Sequence, residues 1–228
     1  MKKQNNIQKI KEIDKSILKN KIALILPFIL VIVFFFCNAV SYTGYYSITE
    51  ETDDKKSDYI VDFGDEAEQG ISLFNIVIGN NRKVFIQADV EVNLSGKHET
   101  QDVMIICPNI PGLLIASILL VVGLIIGIAP GIKKAKLSMI QLLLSILLVL
   151  SSFIFIVLKV TELPAEFLEM SRISVLKTIM GDPNYKFYTS SVQVIISYQF
   201  ILLGLAIAAD VILKGINLFL YRKKSVIE

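Results

Sequence analysis

Asp210 is the one acid inside a long apolar run, 193–213, and Lys214 follows it one helical turn later, so the two can pair at i and i+4. An ionisable side chain at the centre of a bilayer costs roughly 2.5–3.5 kcal/mol on insertion scales, and by default it marks a functional position. Depth decides between two outcomes. If the helix leaves the membrane near Leu213, the pair is an ordinary interfacial one. If hydrocarbon continues to Leu220, before Tyr221, Arg222, Lys223 and Lys224, both charges lie about 10 Å or more inward at 1.5 Å per residue. A second polar line runs through 137–158, where Ser138, Gln141, Ser145 and Ser152 recur at steps of three, four and seven. That spacing makes a single helical seam facing neighbouring helices, worth about 0.6 kcal/mol per hydrogen bond. Intramolecular packing is one use for it, and a homo-oligomer interface or a polar path is the other.

Other chemistry has little material. His98 is the only histidine and sits beside Gly96 and Lys97 in an expected turn, and two cysteines are too few for a cysteine-rich metal site. HExxH, GxSxG and GxxxxGK[ST] are all absent, so zinc proteolysis, elbow-type acyl transfer and P-loop hydrolysis lose their usual signatures. A lone intramembrane Asp is also too few for a paired-carboxylate protease. The expectation is a protein that is not an enzyme and needs no cofactor or metal. Cys37 and Cys107 flank one loop, where they either form a disulfide in an oxidising compartment or remain buried thiols.

The elements that position these residues follow from hydropathy. Of 228 residues, 54% are apolar and 19% charged, against about a quarter charged in a soluble domain. The excess lies in four blocks, 22–40, 110–130, 137–158 and 193–213, each near the roughly 20 residues that cross a hydrocarbon core as helix. The fold class expected is an α-helical membrane protein, a four-transmembrane-helix bundle with a small antiparallel β-sheet domain between helices 1 and 2. Gly123, Gly127 and Gly131 form a stripe on the second span that admits another backbone, and Gly204 and Ala208 offer a matching surface on the fourth. Pro27 adjusts or kinks the first span.

Lys and Arg set orientation because they are retained on the cytoplasmic side. The segments 1–21, 131–136 and 214–228 carry fourteen of them in 42 residues, and 41–109 with 159–192 carry nine in 103. Both termini are therefore expected in the cytoplasm of a cell membrane. Twenty Lys against three Arg, with abundant Ile and Asn, suggest an AT-rich coding sequence and a bacterial plasma membrane. A cleaved signal peptide ending near Ala39 or Ser41 is the competing account of the first block, though its 21-residue basic leader is long for that role. A lipid anchor on Cys37 would want small residues where Phe34, Phe35 and Phe36 stand. The leader itself, with Ile7, Ile10, Ile13, Ile17 and Leu18, reads either as a surface-lying helix or as a disordered tail.

Outside the spans, 41–109 carries thirteen acids against five bases. Its polar start, 41–58, reads as a mobile linker. From Lys83 to Asn93, Val84, Ile86, Ala88, Val90 and Val92 alternate with polar residues, a half-buried strand. It is bounded by Gly79, Asn80 and Asn81 before and Ser95 and Gly96 after, and Ser72–Ile78 and Asp102–Ile106 complete a sheet of about three strands. In 159–192 a short helix is expected over 164–180, entered at Pro164 and halted by Gly181, Asp182 and Pro183, with Phe167, Met170, Ile173, Leu176 and Met180 as its apolar face. Tyr185, Phe187 and Tyr188 would sit at headgroup level before the last span.

Four spans with a larger first outer loop holding a sheet resemble the outline of claudin-like proteins. That family's loop signature has Trp and a cysteine pair inside the loop, whereas this chain has no Trp and its cysteines flank the loop, so no family is assigned. Two functions fit the pattern. The first is a non-enzymatic anchor or accessory subunit whose outer domain binds a partner or envelope component. The second is a small transporter or channel subunit using Asp210 and the seam of the third span. The partners expected are the lipid bilayer and another membrane protein or a second copy, with no nucleic acid. Loss of flux in Asp210→Asn would mark the transporter, and loss of activity on deleting 59–106 the anchor.

Overall fold

The computed structural model describes residues 2–52, 55–64, 69–79, 82–92, 97–110, 112–131, 134–175, 177 and 187–227. The turn residues Asn80, Asn81, Ser95 and Gly96, the helix-face residues Leu176 and Met180, the stop at Gly181, Asp182 and Pro183, and Tyr185 lie outside the described residues. The chain divides into two compact units: Met1–Phe34, Gly112–Val157 and Leu202–Glu228 make the first, Phe35–Pro111 and Leu158–Ile201 the second. Six helices and two small sheets are described, and three helical stretches, Asn6–Phe35, Ala135–Val175 and Tyr198–Ile227, are long and apolar enough to cross a membrane.

The first unit is helical. Helices α1 (Lys2–Ala23) and α2 (Ile25–Phe35) are separated only at Leu24, where Pro27 has no N–H to give the carbonyl four residues back. α4 (Leu113–Ile128) has 16 residues, about 24 Å at 1.5 Å each. α5 (Ala135–Val175) runs 41 residues and α6 (Tyr198–Ile227) 30. The polarity of this unit is inverted relative to a soluble domain. Ile115, Leu147, Leu205 and Ile212 are all more than 60% exposed, while Ser138, Ser145, Asp210, Lys214 and Asn217 are buried. In water that arrangement would leave apolar surface uncovered and strand charges in the interior; in lipid the outward side chains are solvated by hydrocarbon.

The basic leader is a helix rather than a tail, and part of its apolar face is packed within the unit. Ile17 is buried in a cluster with Ala135, Leu142 and Tyr221, with Ile13 packed beside it. Lys224 Nζ meets Asp14 Oδ1 at 2.7 Å, and the Lys21 ammonium donates to the Ala129 carbonyl at the end of α4. Sequence periodicity left this segment open because its contacts come from three other helices.

The second unit is built on β-structure. β1 (Asn38–Thr43) is the centre of a three-stranded sheet between β4 (Gly70–Ser72) and β8 (Gln193–Ile196). A five-stranded antiparallel sheet has the order β6 (Lys97–Cys107), β5 (Arg82–Val92), β3 (Lys55–Asp62), β2 (Tyr45–Thr52), β7 (Phe187–Ser190). The alternation read in 83–93 is present: Ile86, Ala88 and Val90 are buried and Lys83, Gln87 and Asp89 exposed.

Several expectations are corrected here. The segment 41–58 is not a linker but supplies the β2–β3 hairpin, paired from Tyr45↔Asp62 to Thr52↔Lys55, because backbone pairing does not require apolar side chains. Ser72–Ile78 is not a strand. Ser72 Oγ accepts from Asn75 N at 3.2 Å and caps a short helix, α3 (Leu73–Ile78), whose Leu73, Ile76 and Val77 are buried at helical spacing. The backbone of His98 pairs with Glu91 inside β6 rather than turning. The first apolar block ends as helix at Phe35 and continues as β1, and the block 193–213 begins as β8, with helix only from Tyr198. Val194, Ile195 and Ile196 are β-branched and find an edge on β1, which outweighs their apolarity.

No separate helix starts at Pro164, which sits inside α5. The face of α5 turned to the sheet carries Phe167, Ser171 and Ser174, not Met170 and Ile173, and Ile173 is 45% exposed. Serines take this face because each finds a partner: Tyr46 Oη and Ser171 Oγ are 2.8 Å apart, and Ser174 donates to the Met104 carbonyl. Tyr42 donates to the Phe167 carbonyl at 3.4 Å and packs its ring on Phe63, 5.6 Å between centroids. Cys37, whose carbonyl accepts from Leu73 N, and Cys107, buried at the end of β6, are both thiols with no bond between them.

Two measurements check this unit. Burial raises the pKa of Tyr42, with Tyr46 adding to the effect, and burial also raises that of Tyr46, which the Ser171 bond partly opposes. Unfolded tyrosines ionise near pH 10 and these resist ionisation, so their contribution to stability is complete below about pH 10 and falls above it. The Tyr42→Phe, Tyr46→Phe double variant should therefore show a flatter loss of β circular dichroism between about pH 10 and 12 than the parent. Burial also pushes the Cys107 thiol up to about 11, with Arg82 across the ladder pulling the other way. Iodoacetamide at pH 8 should alkylate Cys37 in the native protein and both thiols after SDS. Native labelling of Cys107, or a need for reductant after SDS, would contradict the geometry.

Candidate functional site

The polar groups singled out from sequence converge in the first unit along the glycine stripe of α4. Lys214 Nζ lies 2.6 Å from Asp210 Oδ2, both side chains wholly buried, and also donates to the Gly123 carbonyl at 3.3 Å. α6 does not end near Leu213. Asp210 is twelve residues into a 30-residue helix, about 18 Å from its first residue, so the pair occupies the middle of the helix rather than its end.

The seam of α5 meets the same stripe. Ser145 Oγ donates to the Gly123 carbonyl at 2.6 Å and Gln141 Nε2 to the Ile126 carbonyl at 3.0 Å. Ser138 is hydrogen-bonded to Tyr221. Gly127 and Gly131 make room for these groups, and Gly123 for an apolar neighbour. A Cβ on Gly127 would overlap the Lys214 stem and come 2.8 Å from its Nζ, and a Cβ on Gly131 would overlap the Tyr221 hydroxyl. At Gly123 the neighbour is Val149, 2.9 Å from a built Cβ. The stripe thus receives side chains from α5 and α6. The proposed match with Gly204 and Ala208 is corrected: Gly204 faces Phe153 at 3.4 Å and Ala208 is exposed. Lys214 and Tyr221 supply the α6 face instead, because a buried ammonium needs carbonyl acceptors that only a side-chain-free stretch of helix exposes.

Asn217 is the member that sequence reasoning missed. It is wholly buried one turn beyond Lys214, and neither its Oδ1 nor its Nδ2 has a hydrogen-bond partner. Asp210 Oδ1, Gln141 Oε1 and Ser152 Oγ are likewise unpartnered. The signal was available in the spacing: Asp210, Lys214, Asn217 and Tyr221 stand at steps of four, three and four, one face of a helix. The cations Lys214, Arg222, Lys223 and Lys224 obscure it, because they make 214–228 read as a cytoplasmic tail rather than as packed helix. Among the described residues no three His, Cys, Asp or Glu side chains gather as metal ligands. No known family model, curated protein or solved structure matches the chain.

The arrangement binds three helices through a neutral, charge-assisted centre. Removing one partner leaves the other charged and buried, at a cost of about 3–5 kcal/mol, whereas replacing both by apolar groups is nearly neutral. In detergent, Asp210→Asn and Lys214→Met should each lower the thermal midpoint sharply, and the Asp210→Leu, Lys214→Met double variant should recover most of the loss. A double variant whose loss equals the sum of the two single losses would show that the charges act independently.

Proposed function

We propose that this chain is a non-enzymatic integral membrane protein, an anchor or accessory subunit, with four crossing segments and both ends in the cytoplasm. Its outer unit binds a partner or envelope component. The observation that carries this reading is that Lys214, Ser145 and Gln141 all donate to backbone carbonyls of α4. Groups committed to a neighbouring helix hold a bundle together and do not line a route.

α4 is the short crossing. Its 16 residues cover about 24 Å of a roughly 30 Å core, a mismatch that local thinning accommodates for fractions of a kcal/mol per Å. The side assignment rests on the concentration of Lys and Arg in 1–21, 131–136 and 214–228. Partner binding by the outer unit is supported by its acidic balance, by Phe85, 60% exposed on a strand, and by a cavity of about 290 Å3 walled by Met104, Ile106, Met170 and Ile173 beside the edge strand β6. Flexible methionine side chains suit adaptable protein contacts.

A transporter or channel subunit is the second reading, and one observation favours it. The unpartnered Asp210 Oδ1 and Asn217 amide are buried polar atoms that a passing ion or water would satisfy.

Burial of the pair makes Asp210→Asn a poor discriminator, because lost flux and lost folding would coincide. The stable double variant is the better reagent. The anchor reading expects chemical cross-linking in membranes to capture the same partners through the outer unit in the parent and in Asp210→Leu, Lys214→Met. The transporter reading expects ion or solute flux in proteoliposomes that this variant abolishes. Impermeant maleimide should label Thr100→Cys from outside intact cells and Ser225→Cys only after permeabilisation, both in a Cys37→Ser background. The reverse pattern would overturn the topology.

A further inference from the structure

The middle of α1 and the last turns of α6 line an open cavity of about 610 Å3 in the first unit. Its lining is divided chemically. Ile13, Phe219 and Leu220 form an apolar wall, and Lys9, Arg222 and Lys223 stand against one acid among the described residues, Glu12. Lys224, the neighbouring cation, is already engaged by Asp14 at 2.7 Å, so that acid does not neutralise the others. Lys223 Nζ lies 4.6 Å above the Phe219 ring, which keeps the ammonium at the junction of the two surfaces. Phe219 is 56% exposed on a helix apolar enough to cross a membrane.

We infer that this cavity binds one anionic phospholipid, its phosphodiester on Arg222 and the two lysines and an acyl chain along Ile13, Phe219 and Leu220. The guanidinium fork matches two phosphate oxygens at once, which a solvated lysine does not. A soluble phosphate would use the cations and leave the apolar wall uncovered, and a zwitterionic lipid would use the wall and leave the cations without excess negative charge. Only an amphiphile with net negative charge satisfies both halves, the pattern of headgroup pockets between membrane helices. The inference rests on the bilayer placement of α6 and goes beyond the function proposed above.

The chain has no Trp, so Phe219→Trp places a single indole in the cavity. The full-length protein carrying it is reconstituted in phosphatidylcholine vesicles containing brominated phosphatidylglycerol or, separately, brominated phosphatidylcholine. Brominated phosphatidylglycerol should quench at a lower mole fraction than brominated phosphatidylcholine. Arg222→Gln with Lys223→Gln should reduce that preference roughly twenty-five-fold, at about fivefold per cation. Lys134→Gln with Lys136→Gln, an equal charge change elsewhere in this unit, should leave it unchanged, as should added inorganic phosphate. Equal quenching by the two lipids, or equal loss in both double variants, would overturn the site in favour of a diffuse surface charge. Relief of quenching by free phosphate would make it an anion site without lipid. Quenching by neither lipid would overturn the bilayer placement of α6 as well.

Discussion

An ammonium and a carboxylate held 2.6 Å apart with no access to solvent constrain the whole helical unit. Neither charge is tolerable there alone, and the pair is tolerable only with further hydrogen-bond acceptors close by. α4 provides them by presenting backbone in place of side chains, which is why the stripe of glycines, the position of Asp210 and Lys214 and the hydroxyls of α5 belong to one arrangement. Outward faces are then free to be uniformly apolar, as Ile115, Leu147, Leu205 and Ile212 are.

The second unit follows a different logic. Its sheets draw strands from both sides of the helical segments, β1 to β6 from 38–107 and β7 and β8 from 187–196, so neither stretch completes a sheet by itself. α5 contributes Phe167, Ser171 and Ser174, and its serines and the buried tyrosines satisfy one another or backbone carbonyls. Polar atoms in this core are mostly partnered, in contrast to the Asn217 amide and Asp210 Oδ1 of the helical unit. That contrast is what keeps a transport reading alive beside the anchor reading.

Much of the candidate site was legible before any coordinates. Asp210 with Lys214, the spacing of Ser138, Gln141 and Ser145, and the four-residue glycine repeat each stood out by type and period. What joined them did not. The notion that Gly204 and Ala208 would meet the glycine stripe failed because small residues on two helices need not face each other, and a long polar side chain can fill the same groove. Asn217 escapes notice, and Tyr221 reads only as the end of the apolar stretch, for a related reason: a helix that carries charges near its end reads as a tail until its far side is known to be packed.

Hydropathy and charge by themselves determined that apolar segments of membrane-crossing length are present, that cations gather at the chain ends, and that 83–92 alternates as a half-buried strand, because these properties are local sums along the chain. Only tertiary structure decided that residues 6–23 pack on the bundle, that 193–196 is a strand, that Pro164 lies within a continuous helix, and that Lys214 reaches a carbonyl 91 positions away in sequence. Those outcomes turn on partners distant in sequence, and the free energy of a buried polar group or an edge strand is set by the partner it meets rather than by its own composition.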